Sequence, residues 1–177
     1  MEHTAKKEVK TFSNQMRVVF KGFLTAIGSF FNRLGLTPNT VTMIGLIGNI
    51  VGAVILAKGY LIWGAVIIVI MGIMDVVDGT MARLRGEATK MGSFIDSVTD
   101  RYSELFIFGG LSVYYMLQQN WVGCILAYIA SAGSILVSYT RAKAESLGFE
   151  AQIGILTRLE RYIVLVPALV FQRPDIG

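Results

Sequence analysis

The sequence predicts an all-α integral membrane protein: an N-terminal amphipathic juxtamembrane helix followed by five transmembrane helices. Three observations lead there. Of the 177 residues, 54% are hydrophobic and only 16% charged, with a mean hydropathy of +0.60. An ordinary soluble domain carries about 25% charged residues, so there is too little polar surface here to cover a soluble globule, and ample apolar surface excludes a disordered chain. Apolar runs of near-span length recur along the chain without the alternation a barrel needs. Basic residues are confined almost entirely to alternate connections between those runs. Cys124 is alone, which excludes an intrachain disulfide and a cysteine zinc cage. The net charge of +4 and pI near 9.3 mark cytoplasmic loops of a membrane protein rather than a nucleic-acid surface.

Residues 1–36 form the first unit, an amphipathic cytoplasmic segment. Lys6, Lys7, Lys10, Arg17 and Lys21 alternate with Phe12, Val18, Val19, Phe20, Phe23, Leu24 and Ile27, as in a helix lying on a membrane face. A floppy basic tail would not need the apolar set from Phe20 to Phe31. Early acidic residues and the lack of an early apolar core argue against a cleavable signal peptide. Residues 37–177 form the second, transmembrane unit, which opens at Thr37-Pro38-Asn39, with Thr37 or Asn39 as helix cap. Val41–Ala57 and Tyr60–Met74 carry no charge; Leu105–Leu117, Trp121–Tyr139 and Tyr162–Phe171 are the other apolar runs. With polar flanks these give spans over 39–57, 60–82, 93–117, 120–142 and 156–172, each near the roughly 20 residues a bilayer requires. Asn49, inside the first span, is expected to make an interhelical hydrogen bond.

Charge placement orients these spans. Lys6, Lys7, Lys10, Arg17, Lys21 and Arg33 precede the first; Arg83, Arg85, Lys90 and Arg101 surround the second connection; Arg141, Lys143, Arg158 and Arg161 surround the fourth. Only Lys58 and Arg173 fall on the other face. The positive-inside rule therefore expects a multi-pass protein of the cell membrane with the N-terminus and basic loops in the cytoplasm.

Four carboxylates interrupt this apolar pattern. An acid at the centre of a membrane helix costs roughly 2.5–3.5 kcal/mol on insertion scales. Asp75, Asp78, Gly79 and Ala82 share one helix face, and Asp96 and Asp100 are one turn apart on the next helix. Both groups lie near the cytoplasmic ends of neighbouring antiparallel helices, so they can converge. Without a cation they would repel and some would protonate; an all-oxygen set suits Mg²⁺ or Mn²⁺. His3 is the only histidine and is expected in solvent. The small residues Gly79 and Ala82 either permit tight helix packing or, beside two carboxylates and Arg83, leave a slot for substrate. An ion channel or transporter also uses intramembrane acids, but these cluster near one face rather than along a path, and no inverted repeat is evident.

The stretch Asp75-Val76-Val77-Asp78-Gly79-Thr80-Met81-Ala82-Arg83, followed at fixed spacing by Gly92, Asp96 and Asp100, resembles the signature of the CDP-alcohol phosphotransferase family. The resemblance implies transfer of a phosphoalcohol unit from a CDP-alcohol to a hydroxyl, with CMP leaving, aided by two Mg²⁺ ions or Mn²⁺ in their place. It implies Asp75, Asp78, Asp96 and Asp100 as metal ligands, with Asp100 also the catalytic acceptor of the hydroxyl proton. Gly79, Arg83 and Thr89 would contact the nucleotide, and Pro38, Asn39, Thr40 and Val41 would close over the CDP-alcohol. Members usually have six spans and form homodimers; five spans are found here. The small residues Gly123, Ala127, Ala130, Ser131, Gly133 and Ser134 show only that close helix packing is available in the fourth.

Arg141 and Lys143 end the fourth span and Arg158 and Arg161 open the fifth. Two pairs of cations on the carboxylate face suit a phosphate on a soluble acceptor; each alone is equally well explained as loop charge, with Glu145, Glu150 or Glu160 as partner. The surrounding stretches Ser138–Glu145 and Gly154–Arg161 look like the family branch that uses inositol phosphate, although Arg and Lys stand in exchanged order. The expected donor is CDP-diacylglycerol and the expected acceptor inositol phosphate, with glycerol 3-phosphate as the rival; no nucleic-acid partner is expected.

Overall fold

The computed structural model describes residues 21–149 and 158–171. Among these are six helices: α1 (Lys21–Arg33), α2 (Pro38–Ala57), α3 (Leu61–Arg85), α4 (Lys90–Leu117), α5 (Trp121–Ser146) and α6 (Arg158–Val170). The first half of the expected amphipathic segment, with His3, lies outside the described residues, as does the connection over 150–157.

The helices start and stop where side-chain chemistry says they should. Thr37 caps α2, accepting the Thr40 N–H at 3.2 Å, and Pro38 occupies the first turn, where its missing N–H costs nothing. Of the two caps the sequence allows, Thr37 is the one used. Gly86 ends α3 with φ of 67°, a left-handed conformation that glycine adopts freely. Thr89 caps α4 by accepting the Gly92 N–H at 3.0 Å. Asn120 caps α5 by accepting the Gly123 N–H at 3.0 Å.

α2 packs against both α3 and α4, α4 against α5, and α6 against α3. The main core joins Leu56, Ala65, Ile68, Ile107 and Leu111, with Leu165 and Leu169 of α6. A second cluster, near the start of α2, joins Val41, Val77 and Met81 with Leu24, Ile27 and Phe31 of α1. One face of α1 thus docks on α3 while Phe23 and Phe30 stay exposed, as an interfacial helix requires. The α2–α4 crossing is close: a Cβ on Gly110 would stand 2.9 Å from the Ala53 carbonyl carbon. Small residues permit such approach in membrane bundles.

The expectation of five spans is corrected here. Among the described residues, three helices are long and apolar enough to cross a membrane: Pro38–Ala57, Leu61–Arg85 and Trp121–Ser146. α4 has 28 residues, but Lys90, Asp96, Asp100, Arg101 and Glu104 all fall within its first 15, leaving an apolar run too short by composition. α6 has 13 residues, a rise of about 20 Å at 1.5 Å each, against a hydrocarbon core of about 30 Å. The polar flank that lengthens the α4 stretch is charged, and the ends of the fifth expected span lie outside the described residues. Ile47, Val51 and Val54 of α2, Val66 and Ile70 of α3, and Ile125, Ile129 and Leu136 of α5 point outward. Only 17% of the apolar window of α5 is buried in the protein. Outward apolar faces of this size belong in lipid, and the chain is a multi-pass membrane protein.

Candidate active site

Asp75 and Asp78 lie one turn apart near the end of α3, and Asp96 lies near the start of the antiparallel α4. One carboxylate oxygen from each falls within 4.8 Å of the others. Three of the four carboxylates expected to converge thus come together, across the hairpin turn between Gly86 and Thr89. Asp78 is 4% exposed, and its Oδ2 accepts the Thr42 hydroxyl at 2.5 Å. A buried carboxylate is costly without donors or a cation. The ligand chemistry fits a hard divalent ion, since every candidate donor is a carboxylate oxygen.

Asp100 lies outside that trio. Its Oδ2 stands 3.9 Å from Nη1 of Arg101, and it walls a small cavity with Asp75, Thr42, Asn49, Thr99 and Ser103. On the open side of the trio, a Cβ at Gly79 would meet Nη1 of Arg83 at 3.6 Å. The exposed Arg83 donates from Nη2 to the Thr80 hydroxyl at 3.0 Å. Across the rim, a Cβ at Gly92 would stand 3.2 Å from the Thr89 hydroxyl and 3.7 Å from Oδ1 of Asn39. Asn39, Thr89 and Gly92 are therefore neighbours, and the start of α2 faces the start of α4. The Thr40 hydroxyl is paired with that of Thr37 at 2.8 Å. Val41 is fully buried and packs with Val77 and Met81, so its side chain serves the core.

The four cations expected at an acceptor do not share one environment. Arg141 and Lys143 are exposed on α5, and Arg141 pairs with Glu145 at 3.3 Å. Arg161 turns inward, pairing with Glu104 of α4 at 3.1 Å and donating to Ser134 of α5, which itself donates to Glu104. The side chain of Arg158 lies outside the described residues. Glu104 escaped the sequence reading, although it continues the Asp96, Asp100 series by one more turn. Thr42 escaped it too; its signal is a hydroxyl on the same α2 face as Asn49, seven residues on. Asn49 is buried, but its Oδ1 has no hydrogen-bond partner among the described residues, so the expected interhelical bond is not made at that atom.

Fold and site together define a multi-pass membrane protein with a cluster of helix-borne carboxylates able to coordinate a divalent metal. The sequence profile of the CDP-alcohol phosphatidyltransferase family matches residues 35–173, and the chain belongs to that family. Its signature residues carry the acidic cluster described above. The chain is 36% identical over 158 residues to the phosphatidylinositol phosphate synthase of Streptomyces avermitilis, a match covering 88% of this chain and 65% of that relative. The crystal structure of Mycobacterium tuberculosis phosphatidylinositol phosphate synthase with CDP-DAG bound superposes with a TM-score of 0.78 at 32% identity, covering 87% of this chain and 79% of that one. The same mycobacterial enzyme in complex with manganese and citrate gives 0.78 at 30% identity, covering 87% and 75%.

Proposed function

We propose that this chain transfers the phosphatidyl group of CDP-diacylglycerol to a hydroxyl of inositol phosphate and releases CMP. The observation that carries the proposal is the trio of Asp75, Asp78 and Asp96 oxygens within 4.8 Å of one another, in a chain of this family. The likeness to the mycobacterial phosphatidylinositol phosphate synthase, solved once with CDP-DAG and once with manganese and citrate, supports the donor and the metal. In this reading residues 1–36 are a juxtamembrane element and residues 37–177 the catalytic domain. The concentration of Lys and Arg on the carboxylate side supports a cytoplasmic active site and N-terminus. The functional unit is a homodimer.

Asp75, Asp78 and Asp96 would hold divalent metal, and Asp100 would join them in a two-ion site for Mg²⁺ or Mn²⁺. When bound, such ions neutralise the pyrophosphate and ease departure of CMP. Arg83 adds positive charge to the same phosphates beside the clearance at Gly79. Thr89 and Asn39 border the nucleotide, with Pro38, Thr40 and Val41 shaping the same rim. Arg141, Lys143, Arg158 and Arg161 orient the acceptor's phosphate, Arg161 from its seat on Glu104. The inositol hydroxyl attacks the phosphorus attached to diacylglycerol, and the bond to the oxygen shared with CMP breaks. Asp100 receives the hydroxyl proton. Holding both reactants in line supplies much of the remaining rate.

A panel of soluble alcohols tests the reading with purified protein, Mg²⁺ or Mn²⁺, and CDP-diacylglycerol. CMP release is expected with inositol phosphate. Release with glycerol 3-phosphate instead would overturn the acceptor, and release with no alcohol would overturn the reaction. Asp100→Asn should lower turnover by about 10²–10⁴-fold, the range for a general base, while CDP-diacylglycerol still binds.

A further inference from the structure

Beside the acidic trio, α2, α3 and α4 enclose a small cavity whose lining includes Thr42, Asn49, Asp75, Thr99, Asp100 and Ser103. Polar groups line it from all three helices, inside otherwise apolar surroundings. Asn49 is 4% exposed, and its Oδ1 lacks a donor among the described residues. Leaving a buried amide oxygen without a donor costs about 1–3 kcal/mol. The carboxylates on the cavity wall only accept when ionised. The Thr99 hydroxyl is spent on the Ile95 and Asp96 carbonyls, at 2.9 and 3.0 Å. The Thr42 hydroxyl is turned to Asp78 and to the Pro38 carbonyl. A water molecule, with two protons to give, would supply the missing donor. The cavity measures about 10 Å³, close to the 10–15 Å³ or so that one water requires.

We propose that Asn49 is a positioning residue: one buried water donates to its Oδ1 and to a carboxylate of the Asp75 and Asp100 pair, holding that pair in place. Groups bonded to metal-binding carboxylates orient them, and losing such a partner typically weakens metal binding or activity 10–100-fold. The kinetic part of this inference rests on the proposed transfer reaction; the metal-binding part does not.

The test uses the full chain in lipid nanodiscs, comparing wild type with Asn49→Leu, which fills the cavity without a polar atom, and Asn49→Ser, which keeps a hydroxyl and room for water. Mn²⁺ affinity is read by electron paramagnetic resonance, and CMP release gives kcat and KM. For Asn49→Leu, Mn²⁺ affinity and kcat should each fall about tenfold, with KM for CDP-diacylglycerol and Tm near the wild-type values. Asn49→Ser should restore both. Wild-type Mn²⁺ affinity in Asn49→Leu overturns the proposal; so does equal loss in both variants with lowered Tm, which marks packing alone. A wild-type structure resolved finely enough to show waters must have one within hydrogen-bond reach of Asn49 Oδ1. A bare cavity there, or an alkali ion, overturns the proposal even if Asn49→Leu fails to fold. If wild type releases no CMP with any alcohol, the reaction reading fails while Mn²⁺ affinity still decides Asn49.

Discussion

Thr42 brings a hydroxyl to Asp78 in a place where water cannot compete, since Thr42 is 8% and Asp78 4% exposed. A hydrogen bond to a charged group contributes about 1.5–3 kcal/mol, and here it engages Oδ2 of a residue in the acidic trio. Thr42→Val keeps the shape and removes the proton. Mn²⁺ affinity of that variant should fall about tenfold, measured by the same resonance titration, and Thr42→Ser should recover it. At this scale the sequence was legible wherever a residue was out of place. Asp75, Asp78 and Asp96 stand out because charge in an apolar run needs a reason. Thr42 does not stand out, and Asn49 stands out without revealing its role, because an uncharged polar residue in a membrane helix can cap, bond across helices or sit idle. Only the neighbours across α2 and α3 tell these roles apart.

The crossing of α2 and α4 depends on a missing methyl group. At Gly110 a Cβ would press on the Ala53 backbone, which cannot rotate away as a side chain could. Gly110→Ala should therefore cost about 1–3 kcal/mol, the usual penalty of overpacking, and lower Tm. Gly109→Ala is the control, because nothing lies within 4 Å of a Cβ there; its Tm should be unchanged or slightly raised by better helix propensity. Helix order was legible from the apolar runs and the α2 cap from Thr37, whereas Gly86, Thr89 and Asn120 were not read as helix ends, since such residues serve equally in turns. The number of crossing helices was not legible either. In α4 the apolar run Leu105–Leu117 borrowed length from a segment bearing Asp96, Asp100 and Arg101, and in α6 the run ended short. Hydropathy alone cannot decide whether a charged half-helix faces protein or lipid. Arg161 illustrates the same limit: basic residues near a loop look alike until the structure turns one onto Glu104 and Ser134.

For the molecule as a whole, the acidic trio is a junction between α3 and α4 that a bound cation would draw together. Mn²⁺ at about 100 times its Kd should add about 2.7 kcal/mol to folding stability by mass action. This is read as a rise in Tm that chelator reverses and that Asp96→Asn removes. Without the ion the junction is a cluster of like charge, so the same Asp96→Asn variant should not be less stable than wild type in chelator.

The turn joining Arg85 to Lys90 has a bearing on the order in which the protein is made. Asp75, Asp78, Asp96 and Asp100 all belong to one hairpin, so they meet through closure of a short segment, the kind with the smallest entropic penalty. Thr42 and Asn49 precede that hairpin in the chain. Once the ribosome has passed Leu117, every one of these side chains has been synthesised and nothing from α5 or α6 is needed to bring the acids face to face. The carboxylate part of the site is thus complete in the chain early, and the cations of α5 and α6 follow it.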